Sequence, residues 1–209
     1  MKINNVNFYN TNLYKYQRSS VTFRQSIVPK MIYDERNVLT KIVFPESTGL
    51  KNVCDYFMQP NILRKLSFNW RSIRDLQALK TSKFAETKIK ELTGMGGSAL
   101  VFLMEDGDVL KITYGKHLRR ELESFDIPVY EQGVLLPNIY YYIEQYADTE
   151  SVTKGEILAL INKIKAMGYE VCDVYDNFWV KNDSVRDFQF GKTSDGKVYL
   201  LDPECAYKK

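Results

Sequence analysis

Two stretches of this sequence carry residue types suited to holding a polyanion. In Gly94-Met95-Gly96-Gly97-Ser98-Ala99-Leu100-Val101, three glycines, a serine and a small alanine lead up to a valine. A turn this rich in glycine lets backbone N–H groups approach an anion closely. Downstream, Val109-Leu110-Lys111-Ile112 sets a lysine inside an apolar run. Residues two apart on a strand share a face, so Val109 and Lys111 would point one way while Leu110 and Ile112 enter the core. Further on stand Asp173, Asn177, Asp187 and Asp202, oxygen ligands of the kind that orient a hydroxyl or hold a divalent cation on phosphates.

Other chemistries are disfavoured. The glycine turn leads into a hairpin, not a helix, and lacks a Gly-Lys-Ser/Thr ending, which argues against Rossmann and P-loop sites. His117 is the only histidine, so a Ser-His-Asp triad must use it or be absent, and a multi-histidine metal site is excluded. Beside Lys116 and Arg119 it reads as a helix-surface residue. Cys54, Cys172 and Cys205 are odd in number and lack CxxC spacing, which fits a reducing compartment better than a disulfide framework or structural zinc. The net charge of +3, from 29 basic and 26 acidic residues, points to neither a nucleic-acid nor a membrane partner. No run of apolar residues is long enough to span a membrane, and the start lacks the apolar centre of a Sec signal.

These residues need strands and helices to position them. Ala99–Met104 and Val109–Thr113, joined by Glu105-Asp106-Gly107-Asp108, predict a hairpin. Residues 116–125 predict a charged helix carrying Glu121 and Glu123, and Val134–Tyr146 two apolar strands broken at Pro137-Asn138. Ile157, Leu158, Leu160, Ile161 and Ile164 predict an amphipathic helix over 153–168, stopped at Gly168, followed by strand and turn to Pro203. Leu39–Leu92 reads as helices and turns, with Leu63, Leu66, Trp70, Ile73, Leu76 and Leu79 at helical spacing. The expected organisation is a polar, poorly ordered leader at 1–38, a helical extension at 39–90 and a functional domain at 91–209. Residues 1–33 contain no Asp or Glu.

In this order the segments resemble a protein kinase. Gly94–Val101 is similar to the kinase glycine-rich loop, and Val109-Leu110-Lys111-Ile112 to the Val-Ala-Ile-Lys strand. The resemblance implies that Gly94, Gly96, Gly97 and Ser98 cradle the phosphates of ATP, that Val101 covers adenine, and that Lys111 holds the α- and β-phosphates while paired with Glu121 or Glu123, Glu121 preferred. Tyr140–Ala147 falls where kinases place the hinge.

Met167–Val180 resembles a catalytic loop, with Asp173 as base and Asn177 as a magnesium ligand. Three residues separate the two where the family has four, and Val171-Cys172 replaces the usual His-Arg. The second metal aspartate is either Asp187, in a segment resembling Asp-Phe-Gly, or Asp202, whose Asp202-Pro203-Glu204 resembles small-molecule phosphotransferases and some phage kinases. Asp202 is preferred, with Asp187 then standing in for the asparagine.

The implied fold is α+β, a minimal bilobal protein-kinase-like fold with a truncated C-lobe, since the resemblance ends near Asp202. The implied cofactors are ATP and Mg2+. Size, truncation and leader resemble the HopBF-type minimal kinases injected by type III secretion. That resemblance implies a monomer delivered into host cytoplasm that phosphorylates a host protein on serine or threonine, the ninety-kilodalton heat-shock chaperone. Two rivals stay open: a small-molecule phosphotransferase or adenylyl transferase on the same fold, and a non-catalytic pseudokinase that binds host proteins.

Overall fold

The computed structural model describes residues 27–33, 37, 39–66, 70–95, 99–114, 125–171, 189–202 and 206–208. They form a mixed α and β structure with four helices and a large antiparallel sheet. In chain order the elements are β1 (Lys30–Tyr33), β2 (Leu39–Val43), α1 (Leu50–Phe57), α2 (Pro60–Lys65), α3 (Trp70–Lys80), β3 (Ile89–Met95), β4 (Ala99–Met104), β5 (Val109–Tyr114), β6 (Val129–Leu136) and β7 (Ile139–Glu144). α4 (Lys154–Ala166), β8 (Tyr169–Val171), β9 (Phe190–Lys192), β10 (Val198–Leu200) and β11 (Ala206–Lys208) complete the order. The sheet has seven strands in the order β1-β2-β3-β4-β5-β7-β6, and β9–β10 and β8–β11 form two small antiparallel pairs.

The sheet grows from local signals. Asp106 accepts from the Asp108 N–H, and Gly107 takes φ +97°, so the four residues after Met104 reverse the chain and set Leu103 opposite Val109. Pro137-Asn138, with Asn138 at φ +65°, does the same for β6 and β7. One face of the sheet packs on the helices. Leu100, Phe102, Met104, Leu110 and Ile112 join Leu50, Val53, Phe57, Leu76 and Leu79 in a single core, with Leu110 and Ile112 at 0% exposure. A separate core gathers Ile157, Leu160, Ile161 and Ile164 of α4 with Val171, Phe190 and Leu200.

Helix α4 starts on a capping box. Thr153 Oγ1 accepts from the Glu156 N–H, and the Glu156 carboxylate accepts from the Thr153 N–H at 2.9 Å. Its end falls just before Gly168, which takes φ +83°.

The expectation of helices and turns throughout Leu39–Leu92 needs correction at both ends. Leu39–Val43 and Ile89–Met95 are strands, paired through Ile42↔Leu92 and Val43↔Glu91, so this segment contributes to the same sheet as Lys111. The alternation in β3 is hidden because Lys90 is an extra residue, inserted where Ile89↔Met104 gives way to Glu91↔Leu103. A bulge of this kind breaks the period of two.

Candidate functional site

A single cross-strand row carries several of the candidate residues. Gly94 pairs with Val101, Val101 with Lys111, Lys111 with Tyr142, and Tyr142 with Gln132, across β3, β4, β5, β7 and β6. Because the neighbours of Lys111 on its own strand, Leu110 and Ile112, are fully buried against the helices, the lysine projects from the opposite face. That face also bears Val109, Leu103, Tyr142 and Glu144, all buried. The face is therefore mixed: apolar Val101, Leu103 and Val109 flank Lys111, with the buried carboxylates of Glu144 and Glu91 farther along the Leu103–Val109 row, and its apolar part could take a flat base beside a phosphate chain.

Gly94 shows why glycine stands at the start of the turn. A Cβ there would lie 3.3 Å from Val101 Cγ2, a tight fit that brings the backbone close over the valine.

The lysine reaches the chain just past the second core. Lys111 Nζ donates to the Leu201 carbonyl oxygen at 3.0 Å, placing its ammonium one residue from Asp202. Leu201 is held from its other side as well, since its N–H donates to the Gln189 carbonyl at 2.7 Å. The β9–β10 hairpin that precedes it is fastened to both chain segments that leave the sheet. Ile127 N–H donates to Leu200 O at 3.0 Å, while Asp148 and Lys192 exchange N–H···O bonds of 2.8 and 2.9 Å. Gln145 N–H donates to Pro128 O at 3.0 Å and ties those two segments to each other. Gly191 permits the close approach, because a Cβ on it would sit 2.7 Å from the Ala147 Cβ.

Strand β11 pairs with β8 through Ala206↔Val171 and Tyr207↔Glu170. The chain that leaves Asp202 thus returns beside the strand that leads toward Asp173. Beyond β7, Tyr146 has its phenol pushed above its ordinary pKa by burial and then by the charges of Asp148, Glu91 and Glu150. Glu91 itself is 7% exposed and lies on β3.

The structure accordingly brings together Gly94, Val101, Lys111 and the immediate neighbour of Asp202. Gly96, Gly97, Ser98, Glu121, Asp173, Asn177 and Asp187 lie outside the described residues, as does all but the last residue of the helix expected at 116–125. Among the described residues, no group of three or more His, Cys, Asp or Glu side chains is placed to hold a metal ion. Magnesium on a nucleotide is held by one or two carboxylates with the phosphates and water completing its shell, so Asp202, half-buried and next in sequence to the carbonyl that Lys111 contacts, fits that need.

Sequence reasoning missed the Leu201 carbonyl, which is backbone and carries no residue signature, and Tyr142, which the run Tyr140-Tyr141-Tyr142 does not distinguish from its neighbours. No helix among the described residues is long and apolar enough to cross a membrane. Set against known protein families and against curated proteins, the chain matches none.

Proposed function

We propose that the chain binds magnesium-ATP on the Lys111 face of the sheet and transfers the γ-phosphoryl group to a protein hydroxyl. The observation that carries this reading is the Gly94–Val101–Lys111 row, with the lysine amine 3.0 Å from the carbonyl that precedes Asp202. Lys111 lies on the third strand counted from the one that bears Gly94, where protein kinases keep their phosphate-binding lysine. Strands β3 to β7 stand in the order first, second, third, fifth, fourth, which is the order of a protein-kinase small lobe. Both features support a minimal bilobal kinase-like fold.

On this reading Lys111 would steady the α- and β-phosphates, and Asp202 would help hold a magnesium ion, whose charge would offset that of the phosphates. Asp173 orients the acceptor hydroxyl and takes its proton, and Asn177 or Asp187 completes the metal site. The lack of Asp and Glu over residues 1–33 supports an effector acting on a host protein, with the ninety-kilodalton chaperone as the proposed acceptor.

The test is incubation of the full chain with γ-labelled ATP, magnesium and purified chaperone. Label should appear on the chaperone and be lost with Lys111→Ala. Equal labelling by that variant would refute the scheme.

A second reading, small-molecule phosphotransfer, has one observation in its favour: the residue after the carbonyl that Lys111 contacts is Asp202, which opens Asp202-Pro203-Glu204. Label recovered on a metabolite and not on protein would select it. Label transferred only from the α-phosphate would indicate adenylyl transfer.

A further inference from the structure

Strand β3 carries an irregularity where the glycine turn begins. Leu92 pairs with Phe102 and Gly94 with Val101, so two steps on β3 match one on β4 and Thr93 is the extra residue. A bulge leaves its extra residue outside the ladder, bends the strand and re-aims the residues beyond it. Here the extra residue makes a bond of its own: Thr93 Oγ1 donates to the Val101 carbonyl oxygen at 3.2 Å. Val101 is also the residue that pairs with Lys111. The take-off point of the turn and the lysine are therefore both referenced to one residue.

We propose that Thr93 is a positioning residue for nucleotide binding: its hydroxyl, donated across the bulge to Val101, fixes Gly94 in the row that holds Lys111. This rests on the proposed nucleotide site. The hydroxyl supplies a cross-strand bond at the one residue the ladder leaves out, and a shift of the strand there by one residue would carry Gly94 off Val101 and so away from the row that holds Lys111.

The sheet contains its own control. On the β1–β2 pair, Ile32↔Lys41 is succeeded by Tyr33↔Leu39, which makes Thr40 the extra residue, and Thr40 Oγ1 donates to the Ile32 carbonyl at 3.1 Å. The bond is the same in kind, but the pair carries none of the site residues. Thr40 reports what such a bond contributes to the sheet alone.

The experiment measures magnesium-ATP affinity by calorimetry and the thermal midpoint, on the full chain, for wild type, Thr93→Val, Thr93→Ser and Thr40→Val. Valine keeps the branched shape and removes the donor, whereas serine keeps the donor.

Thr93→Val should weaken nucleotide binding by about five- to tenfold, the equivalent of one net hydrogen bond. Thr93→Ser should bind as wild type. Thr40→Val should lower the midpoint without changing affinity.

Wild-type affinity in Thr93→Val, or an equal loss in Thr40→Val, overturns the positioning role and leaves the nucleotide reading standing. Absence of binding by the wild type overturns both. Should Thr93→Val fail to fold, the serine variant decides: weakened affinity at an unchanged midpoint would show that the hydroxyl alone is not what sets the turn.

Discussion

Gly191 and Ala147 are packed so closely that a Cβ on the glycine would lie 2.7 Å from the Cβ of the alanine and 3.1 Å from Leu201 Cδ1. This contact seats the β9–β10 hairpin against the segment leaving β7, and so sets the height of Leu201 under Lys111. Gly191→Ala should destabilise the fold by about 1–3 kcal/mol, the usual cost of overpacking, and weaken nucleotide binding in parallel. Adding Ala147→Gly should recover a large part of both losses, because the second change makes room for the first. Denaturant melts of the two single variants and the double variant, with matched binding titrations, test this. Additive effects would refute the coupling.

The proposed function gives the Lys111 ammonium a charge-stabilising task and Asp202 a metal-holding one. Lys111→Met and Asp202→Asn should each reduce phosphotransfer by about a hundredfold or more, as removal of one transition-state contact typically does. Folding should be little affected, as circular dichroism would verify. The two losses should differ in character: raising magnesium should relieve part of the Asp202→Asn defect and none of the Lys111→Met defect.

Asp75 sits on α3, 2% exposed, and its Oδ1 has no hydrogen-bond partner. Burial raises its pKa from 3.8 to about 6, with Arg74 opposing the rise. The folded state therefore holds this proton more tightly than the unfolded chain does. The contribution is most favourable below about pH 4, declines as the pH rises through about 6 and is flat above that. Asp75→Asn should raise the thermal midpoint by a few degrees at pH 7.5 and change it little at pH 4. A gain confined to pH 4 would contradict the sign.

Glu156 behaves in the opposite sense. Lys192 Nζ lies 2.6 Å from its Oε1, and this contact, with the Thr153 bonds, holds its pKa down to about 2 against an ordinary 4.5. Its support is present above about pH 4.5 and disappears as the pH falls toward 2. Glu156→Gln should thus lower the midpoint at pH 7 and lose its effect in strong acid. Thr153→Ala, which removes the cap, should cost about 1 kcal/mol without altering nucleotide affinity.

The elements that the sequence exposed most clearly are those with strong local signals. The β4–β5 hairpin was legible because Asp106-Gly107 marks a turn between two apolar runs. Helix α4 was legible because Ile157, Leu160, Ile161 and Ile164 recur at helical spacing and Gly168 marks its stop. Strand β3 was obscured by two extra residues, Lys90 and Thr93, which break its alternation twice within seven residues.

For the site, the facing of Lys111 came from the pleat. Its partner did not, because a carbonyl far along the chain has no letter in the sequence. Tyr141 is another case. Its ring lies over Gly133 and its hydroxyl donates to Glu131 at 2.8 Å, a contact that depends on the β6–β7 register and on no local motif.

The bond between Lys111 and Leu201 joins positions 90 residues apart and links the sheet to the segment that leaves the second core. Closing so long a segment carries an entropic cost that the hydrogen bond alone does not offset. A ligand that engages both the lysine and the aspartate beside Leu201 would add its binding free energy to that closure by mass action. On that account the juncture of the two cores is the part of the molecule whose melting should respond most to nucleotide. Amides of Leu200 and Leu201 should gain more protection from solvent exchange than those deep in the helical core, whose opening already requires global unfolding.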